Sequence, residues 1–412
     1  DYLNIGVCGL IMMFFFVSMF FTTNGGVSQQ EKRKLASFPK ISEMTSEDLL
    51  SGTYFSKIDE FYKDNFVHRD QFLALSDSID SLKGVESEIK MTVVSNNATN
   101  QGATAKDDDS DSDKDMYKNV EQIGTLLSID NIVCEAYGFN EPTINDYAET
   151  IKKFGDTLKG ANVYNILVPT HVEFALPSKY QNLSAKEKPA IDLVNSKLGK
   201  NVTPVDAYSI LKQHKTEYIY FRSDHHWTQL GAYYAYTKFC ETAGLKPCNL
   251  DDYPLKKVTG FLGTLYNGSK EKKLADNPDV VEYRPVGGDL TATIYQNSSL
   301  TKKLEYSPYS DYSTGSNAYG TFLHGDNPLT IIKNPDVDSS KKVVVIKESY
   351  GNAFAPLLTQ NYSEVYVIDP RYFNGNLNDF IKEHEIKDVI FINNMVAVGS
   401  QSRVDELKKL LN

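Results

Sequence analysis

The sequence predicts an α/β domain in which helices cover both faces of a mostly parallel β-sheet, giving three layers. From about residue 119 onward, short apolar runs alternate with segments of helical periodicity. The runs at 163–170, 341–349 and 388–393 are almost entirely apolar, which is typical of strands buried on both faces of a sheet. With 412 residues, of which 41% are hydrophobic, the chain is long enough and apolar enough to bury the core of such a domain.

Each element of this domain, 119–412, is predicted from its local pattern. The predicted strands are 131–138, 163–170, 217–223, 341–349, 364–370 and 388–393. The predicted helices are 142–158, 185–198, 228–243, 351–361 and 404–411. The stretch 250–335 is rich in Gly, Pro, Asn, Ser and Tyr, so we expect an insertion of loops and short strands on the α/β core.

The chain before residue 119 divides into three segments. Residues 1–27 include an almost entirely apolar run, 5–21, which predicts a transmembrane anchor or, alternatively, a cleaved signal segment. Residues 28–94 predict a polar tether followed by a helical region. Residues 95–118 predict an acidic, disordered linker or loop, because the first 21 of them hold no large apolar residue.

The charge and the cysteines exclude some classes of function. Lys and Arg number 43 against 54 Asp and Glu, which gives a net charge of −11. Nucleic acid is therefore not an expected partner, since binding it requires a basic surface. The four cysteines form no CxxC pair, so no structural zinc site is predicted. Cys240 and Cys248 flank a turn and could either form a disulfide or stay reduced.

Polar side chains follow three of the predicted strands, at 169–171, 223–227 and 347–352. Functional groups of parallel α/β sheets collect at the carboxyl ends of the strands. In an extended chain, Asp224 and His226 would share one face, whereas the intervening His225 would lie on the other. A carboxylate beside an imidazole can hold its Nδ1–H and leave Nε2 free as a base.

Two other interpretations of this segment stay open at the level of sequence. It could be only a polar turn at a strand end, although Thr228 is a candidate N-cap of the next helix that would fix the position of the Asp224–His226 pair. It could also bind a metal through Asp224, His225 and His226 together with a distant ligand. Against the metal, adjacent histidines of an extended chain point apart, and no second histidine cluster supplies partners.

Ser349 is the candidate nucleophile. It ends a predicted strand and precedes a predicted helix, a position that exposes a hydroxyl at the edge of a sheet. Backbone N–H groups at the start of the following helix can stabilise an oxyanion there. A serine hydroxyl is a poor nucleophile without a base, and His226 is the best candidate for that base. The alternative is that Ser349 only caps the helix.

Several segments of the chain resemble one family. The segment Tyr-Phe-Arg-Ser-Asp-His-His-Trp-Thr-Gln-Leu-Gly-Ala-Tyr is similar to the signature of the DHHW family of bacterial, membrane-anchored, extracytoplasmic proteins. These proteins are in turn similar to the SGNH-like domains of alginate O-acetyltransferases. The segments that carry the resemblance are 31–39, 61–70, 220–233, 325–328, 346–354 and 367–373.

The resemblance implies an SGNH-hydrolase-like fold with a catalytic triad. In the related acetyltransferases, an Asp-x-His pair before a helix supplies the orienting carboxylate and the base, and the matching positions here are Asp224 and His226. Their nucleophile follows a strand, at the position that matches Ser349. The family usually has Asp before the serine, whereas this chain has Glu348, so the role of that side chain is open. Candidate oxyanion or substrate groups, chosen by their position at strand and loop ends, are the Tyr350 backbone, Asn352, Asn393 and Arg371.

The resemblance also implies a function and partners. We expect acetyl transfer to an extracellular or cell-wall polysaccharide, with no metal or organic cofactor and with a multi-pass membrane acyltransferase as the acetyl donor. The protein would then be a single-pass protein of the cell membrane, with its catalytic domain on the extracytoplasmic side. The alternatives are an esterase that removes acetyl groups through the same triad, and a non-catalytic, glycan-binding surface protein.

Overall fold

The computed structural model describes residues 27–28, 33–34, 36–40, 53–66, 115–288 and 290–411. The chain divides into two compact units, 1–93 and 94–412. The predicted apolar segment at 5–21 and most of the predicted acidic linker lie outside the described residues. None of the described helices is long and apolar enough to cross a membrane. The domain boundaries drawn from the sequence stay predictions.

The described residues of the N-terminal unit include one helix and two short paired strands. Strands β1 (Val27–Ser28) and β2 (Arg33–Lys34) pair antiparallel, and helix α1 spans Thr53–Asp64. The segment 36–40 runs beside this helix: Asn65 Nδ2 donates to the Ala36 carbonyl at 2.7 Å, and the rings of Phe38 and Phe61 meet edge to face. This contact buries the apolar side of the helix locally.

The C-terminal unit holds the α/β domain. Its strands are β3 (Val120–Ile123), β4 (Leu126–Ile129), β5 (Ile132–Glu135), β6 (Asn162–Val168), β7 (Val202–Val205), β8 (Lys256–Phe261), β9 (Asp279–Tyr283), β10 (Thr291–Tyr295), β11 (Lys303–Tyr306), β12 (Leu329–Lys333), β13 (Lys342–Lys347), β14 (Glu364–Ile368) and β15 (Asp388–Asn394). Its α-helices are α2 (Glu141–Thr157), α3 (His171–Ala175), α4 (Lys188–Lys197), α5 (Ala207–Gln213), α6 (Gln229–Ala243), α7 (Thr264–Ser269), α8 (Lys272–Ala275), α9 (Gly351–Phe354), α10 (Leu377–Glu383), α11 (Met395–Val398) and α12 (Gln401–Lys409).

The central sheet is mixed rather than mostly parallel. Its strand order is β11-β10-β12-β14-β13-β15-β6-β7. The five strands from β14 to β7 are parallel, as the apolar runs predict, whereas β12, β10 and β11 extend the sheet antiparallel. These three strands all come from the stretch 250–335. The connection between β10 and β11 is short and suits antiparallel pairing, because no crossover helix is needed.

Helices cover both faces of the sheet, which confirms the predicted layers. In β13, Val343 and Val345 face one core, which also contains the buried side of α6. Val344 and Ile346 face the opposite core, against the buried sides of α2 and α4. Because successive side chains of a strand alternate between faces, an entirely apolar strand requires two such cores.

The predicted strand at 217–223 is wrong. The segment is a loop closed by a single antiparallel bridge between Tyr220 and Trp227. Its apolar residues Ile219, Tyr220 and Phe221 are buried in the core on the α6 side of the sheet. The apolar run therefore reflects burial of a loop. The predicted strand at 131–138 is β5, but it pairs with β4 in a separate three-stranded sheet.

The predicted helix at 351–361 begins as α9 and continues as the 3-10 helix Ala355–Gln360, which carries Pro356 in its first turn. Among the cysteines that the structure describes, Cys134, Cys240 and Cys248 are free thiols. The disulfide considered between Cys240 and Cys248 is therefore not formed in this structure.

A pair of buried glutamates lies just beyond the carboxyl end of β6. Glu187 contacts the Thr170 backbone N–H at 2.8 Å and the Thr170 hydroxyl at 2.5 Å, and its own backbone N–H donates to Glu173 at 2.8 Å. Tyr208 donates to the other Glu173 oxygen. Burial, followed by the charge of Glu173, raises the pKa of Glu187 to about 8, against the opposing effects of the Thr170 hydrogen bonds and the charge of Lys186.

Glu187→Gln should therefore remove a pH-dependent loss of stability. Between the ordinary carboxyl pKa and about 8, the folded state holds a proton that the unfolded chain has released, so the wild-type stability falls as the pH rises through that window. Relative to wild type, the variant should gain about 1–3 kcal/mol in free energy of unfolding at pH 8.5, with the difference vanishing near pH 4. Urea unfolding at several pH values measures this. The exposed Glu149→Gln is the control, and a pH-independent difference would contradict the prediction.

Candidate active site

Asp224, His226 and Ser349 form one hydrogen-bonded chain. His226 Nδ1 lies 2.5 Å from Asp224 Oδ1, and His226 Nε2 lies 2.7 Å from Ser349 Oγ. Asp224 and His226 are buried, whereas Ser349 is partly exposed. An ionised Asp224 can only accept, so Nδ1 carries the proton and Nε2 is left to accept from the serine hydroxyl. The three residues thus have the connectivity of an acyl-transfer triad.

The loop before α6 is not extended, yet its fold places the side chains of Asp224 and His226 on the same side. The Tyr220–Trp227 bridge closes it, and Trp227 Nε1 donates to the Tyr350 carbonyl at 2.9 Å. Thr228 caps α6 through its side chain, as predicted. At the opposite end of the loop, Asp279 of β9 accepts from both the backbone and the hydroxyl of Ser223. The triad carboxylate therefore sits on a fixed backbone.

The Asp224 carboxylate is saturated with donors. Oδ1 accepts from the His226 backbone and ring, and Oδ2 accepts from the Thr264 backbone N–H at 2.9 Å and hydroxyl at 3.2 Å. A Cβ on Gly263 would lie 2.2 Å from this carboxylate, so only glycine permits the close approach. Burial opposes ionisation of Asp224, but the charges of His226 and His225 and these hydrogen bonds outweigh it and hold its pKa below the usual range.

His225 does not point away from His226, so that expectation is wrong. The two imidazole rings lie 3.8 Å apart, and His225 Nδ1 contacts Thr264 Oγ1 at 2.7 Å. The loop turns at these residues, so the two-residue periodicity of a strand does not apply. Burial, followed by the charge of His226, lowers the pKa of His225.

This turn also brings together the donor atoms of the metal alternative. One ligand atom from each of Asp224, His225 and His226 lies within 4.8 Å of the others. However, both Asp224 oxygens and both His226 nitrogens already have partners within the protein, and His225 Nδ1 has Thr264. A metal would have to break the hydrogen bonds that define the triad. The donor set therefore fits a hydrogen-bonded triad better than a metal site.

Ser349 lies in the turn between β13 and α9. A Cβ on Gly351 would lie 2.4 Å from Lys347 Cβ, so glycine is required for the turn to close. The Glu348 carboxylate accepts from the backbone N–H groups of Tyr350 and Asn394, both at 3.1 Å, and lies 3.3 Å from Ser349 Oγ. Glu348 therefore ties the end of β13 to the end of β15. It also occupies the Tyr350 N–H, which the sequence offers as an oxyanion donor.

Two residues that were not predicted from the sequence contact the triad. Thr264 binds Asp224, and the ring of Tyr319 stacks on that of His226, with the ring centroids 3.7 Å apart and an interplanar angle of 10°. The Tyr319 hydroxyl donates to the Ser349 carbonyl at 2.9 Å. Both residues lie in the stretch interpreted as an insertion, where single polar or aromatic residues among many loops carry no sequence signal.

This geometry can be set beside known proteins. The sequence model of the DHHW protein family matches residues 31–117 and 75–368. The chain belongs to the DHHW family. The crystal structure of a DHHW family protein from Eubacterium siraeum DSM 15702 is 32% identical, with a TM-score of 0.66, and the match covers 72% of this chain and 98% of that one. No curated protein matches the sequence.

The fold is also similar to that of Bacillus cereus PatB1. Its structure with a sulfonyl adduct is 20% identical, with a TM-score of 0.57, over 70% of this chain and 97% of PatB1. A second structure of PatB1 is 19% identical, with a TM-score of 0.55, over 69% and 98% of the two chains. At this level of identity, the similarity concerns the fold alone.

In this DHHW protein, the side chains of the remaining candidates are engaged elsewhere. Asn393 Nδ2 donates to the Tyr147 hydroxyl at 3.0 Å, and its Oδ1 accepts from Arg403 at 2.7 Å. Asn352 Nδ2 donates to Asp326 at 2.9 Å. The structure therefore gives no support to these amides as oxyanion donors.

Arg371 belongs to a network of charges. It contacts Asp369 and Asp326 at 2.6 and 2.7 Å, while Lys347 contacts the same two carboxylates at 3.1 and 2.6 Å. Burial opposes the charge on Arg371, but Asp326 and Asp369 outweigh it and raise its pKa. Burial likewise opposes ionisation of Asp369, which Lys347 and Arg371 outweigh, so its pKa is lowered. Arg371, a candidate substrate group, is therefore engaged in salt bridges within the protein.

Asp369→Asn should destabilise the fold. The Lys347 side chain is 2% exposed and Asp369 is fully buried, so the change leaves a buried ammonium with one partner instead of two. Removing one partner of a buried ion pair costs about 3 kcal/mol in free energy of unfolding. Denaturant unfolding measures the loss. In the control Glu364→Gln, at the start of the same strand, the exposed Lys333 loses its partner and the cost should stay below about 1 kcal/mol. Equal losses would contradict the prediction.

Proposed function

We propose that this protein is an O-acetyltransferase that modifies a polysaccharide through an acetyl-serine intermediate. The observation that carries the proposal is the continuous hydrogen-bonded chain from Asp224 through His226 to Ser349. Membership of the DHHW family agrees with it. The resemblance of that family to the SGNH-like domains of alginate O-acetyltransferases supports acetyl as the transferred group and a polysaccharide as the acceptor.

In the first half-reaction, Ser349 Oγ attacks the carbonyl carbon of the donor acetyl group. His226 Nε2 takes the hydroxyl proton as the new C–O bond forms. The tetrahedral intermediate collapses, its bond to the donor breaks, and the leaving group takes the proton from His226. The product is the acetyl ester of Ser349. Asp224 stays ionised and stabilises the imidazolium that forms between the two transfers.

In the second half-reaction, a polysaccharide hydroxyl replaces the donor. His226 removes its proton while the oxygen attacks the acetyl carbonyl of the ester. The bond to Ser349 Oγ then breaks, and the proton on His226 returns to the serine. Water in place of the sugar hydroxyl would give acetate and make the protein an esterase, so the acceptor alone separates these two activities.

The donor and the location are part of the proposal. Because acetyl-CoA is not expected outside the membrane, a multi-pass membrane acyltransferase would present the acetyl group to Ser349. The apolar segment at 5–21 would anchor the chain in the cell membrane by a single span, with the α/β domain on the extracytoplasmic side. No nucleic acid, metal or organic cofactor takes part in the proposed reaction.

Each member of the triad should be required for acylation. With p-nitrophenyl acetate, Ser349→Ala and His226→Ala should lower kcat by about 10³-fold or more, and Asp224→Asn should do so by favouring the wrong imidazole tautomer. Ser349 should also be the residue labelled by a sulfonyl fluoride, the reagent class suggested by the sulfonyl adduct of PatB1. Release of p-nitrophenol and intact mass, followed by peptide mapping, measure the two effects.

The matched control is Ser363→Ala, since Ser363 is a buried serine that donates to the Lys341 carbonyl and contacts no member of the triad. It should keep wild-type rate and labelling. Equal rates in wild type, Ser349→Ala and His226→Ala would remove the triad mechanism and favour the non-catalytic, glycan-binding alternative.

A sugar acceptor should divert the acetyl group from water. When wild type turns over p-nitrophenyl acetate, added cell-wall or exopolysaccharide oligosaccharides should raise the acetylated sugar formed at the expense of acetate, because the acceptor hydroxyl competes for the same acetyl-serine. Mass spectrometry of the sugars and an acetate assay follow both products. Acetate release that is unaffected by any acceptor would identify an esterase instead.

A further inference from the structure

We propose that Tyr319 is a positioning residue that holds the imidazole of His226 in the plane connecting Asp224 and Ser349. This inference rests on the proposed function, because it concerns the same triad. Neither the sequence signature nor the family resemblance points to Tyr319, which lies in the 3-10 helix Gly315–Thr321 of the 250–335 region.

The first argument is that His226 is sandwiched. The Tyr319 ring lies 3.7 Å from the imidazole at an angle of 10°, and the His225 ring lies 3.8 Å from it at 36°. Two rings cannot both occupy one face of the imidazole at such distances, so Tyr319 and His225 cover opposite faces. Rotation of the imidazole about its Cβ–Cγ bond would collide with one ring or the other. The hydrogen bonds to Asp224 and Ser349 therefore keep their alignment.

The second argument is that Tyr319 contacts both the base and the nucleophile. Its ring covers His226, while its hydroxyl donates to the backbone carbonyl of Ser349 at 2.9 Å. One side chain thus fixes the distance between two residues that are 123 positions apart in the chain. The electron-rich face of the phenol ring also favours the imidazolium that forms during proton transfer.

The third argument is that Tyr319 is itself held rigidly. It is buried, and it packs edge to face against Phe221 and at 5.4 Å against Phe322. Phe221 belongs to the loop that carries Asp224 and His226, so the stack and the loop move as one unit. A platform that is already ordered in the free protein costs no ordering entropy during the reaction.

The test compares variants that separate the ring from the hydroxyl. Tyr319→Phe keeps the stack and loses the hydrogen bond to Ser349, whereas Tyr319→Leu loses both. For each variant, kcat and KM for p-nitrophenyl acetate and the second-order rate constant of sulfonyl fluoride labelling at Ser349 are measured on the full chain, with thermal unfolding to verify folding. Tyr309→Phe is the matched control, because Tyr309 is buried in the same region and its hydroxyl accepts from the Val286 backbone away from the triad.

Tyr319→Leu should lower kcat and the labelling constant by about 10- to 100-fold, the range expected when a catalytic group loses its alignment, with little change in KM. Tyr319→Phe should retain activity to within about 5-fold of wild type, since one neutral hydrogen bond is lost. Tyr309→Phe should match wild type. If the leucine variant fails to fold, Tyr319→Met, which refills the space with a flexible chain, takes its place.

Two outcomes would overturn the inference, and they are distinguishable. A wild-type protein whose Ser349 is neither labelled nor acylated would overturn the proposed function and the inference with it. A labelled wild type together with a folded Tyr319→Leu of equal kcat and labelling constant would overturn the inference alone. A loss that appears only in KM would do the same, because it would assign Tyr319 to ester binding.

Discussion

The buried charge of Asp224 is the constraint on which the rest of the site depends. A carboxylate removed from water is stable only if donors surround it, and here four hydrogen bonds reach its two oxygens. Two of these come from His226 and two from Thr264, so the carboxylate joins the loop before α6 to the first residue of α7. The close approach requires Gly263. Once these hydrogen bonds are made, the orientation of His226 is fixed, and its Nε2 faces Ser349.

A second set of buried charges fixes the position of Ser349. Ser349 follows β13, and the two residues before it anchor that strand end: Glu348 reaches the β15 end through the Asn394 N–H, and Lys347 reaches Asp369 at the β14 end. A strand with these partners on both flanks cannot shift its register without leaving charges unpaired. The triad therefore combines a serine on the central sheet with a histidine on a loop that is anchored independently.

Part of this arrangement could be predicted from the sequence. The apolar runs locate the parallel strands, and the serine beyond β13 and the Asp-x-His pair stand out because few other interpretations suit such residues at strand ends. The segment around Tyr220 was wrongly predicted to be a strand, because a buried loop and a buried strand share the same apolar pattern. The partner of Glu348 could not be predicted either, since Asn394 contributes only its backbone N–H, which is the same for every residue but proline.

The stretch 250–335 contributes more contacts to the site than its sequence predicts. Its composition of loops and short strands suggests an addition to a complete α/β core, yet it supplies Thr264 to the carboxylate, Tyr319 to the imidazole and Asp326 to the lysine beside the nucleophile. It also contributes Asp279, which fixes the loop that carries the dyad. The α/β core alone would leave Asp224 with an unpaired oxygen and His226 with an open face. The insertion is therefore part of the candidate active site, and the parallel strands are the platform against which it holds His226 to Ser349.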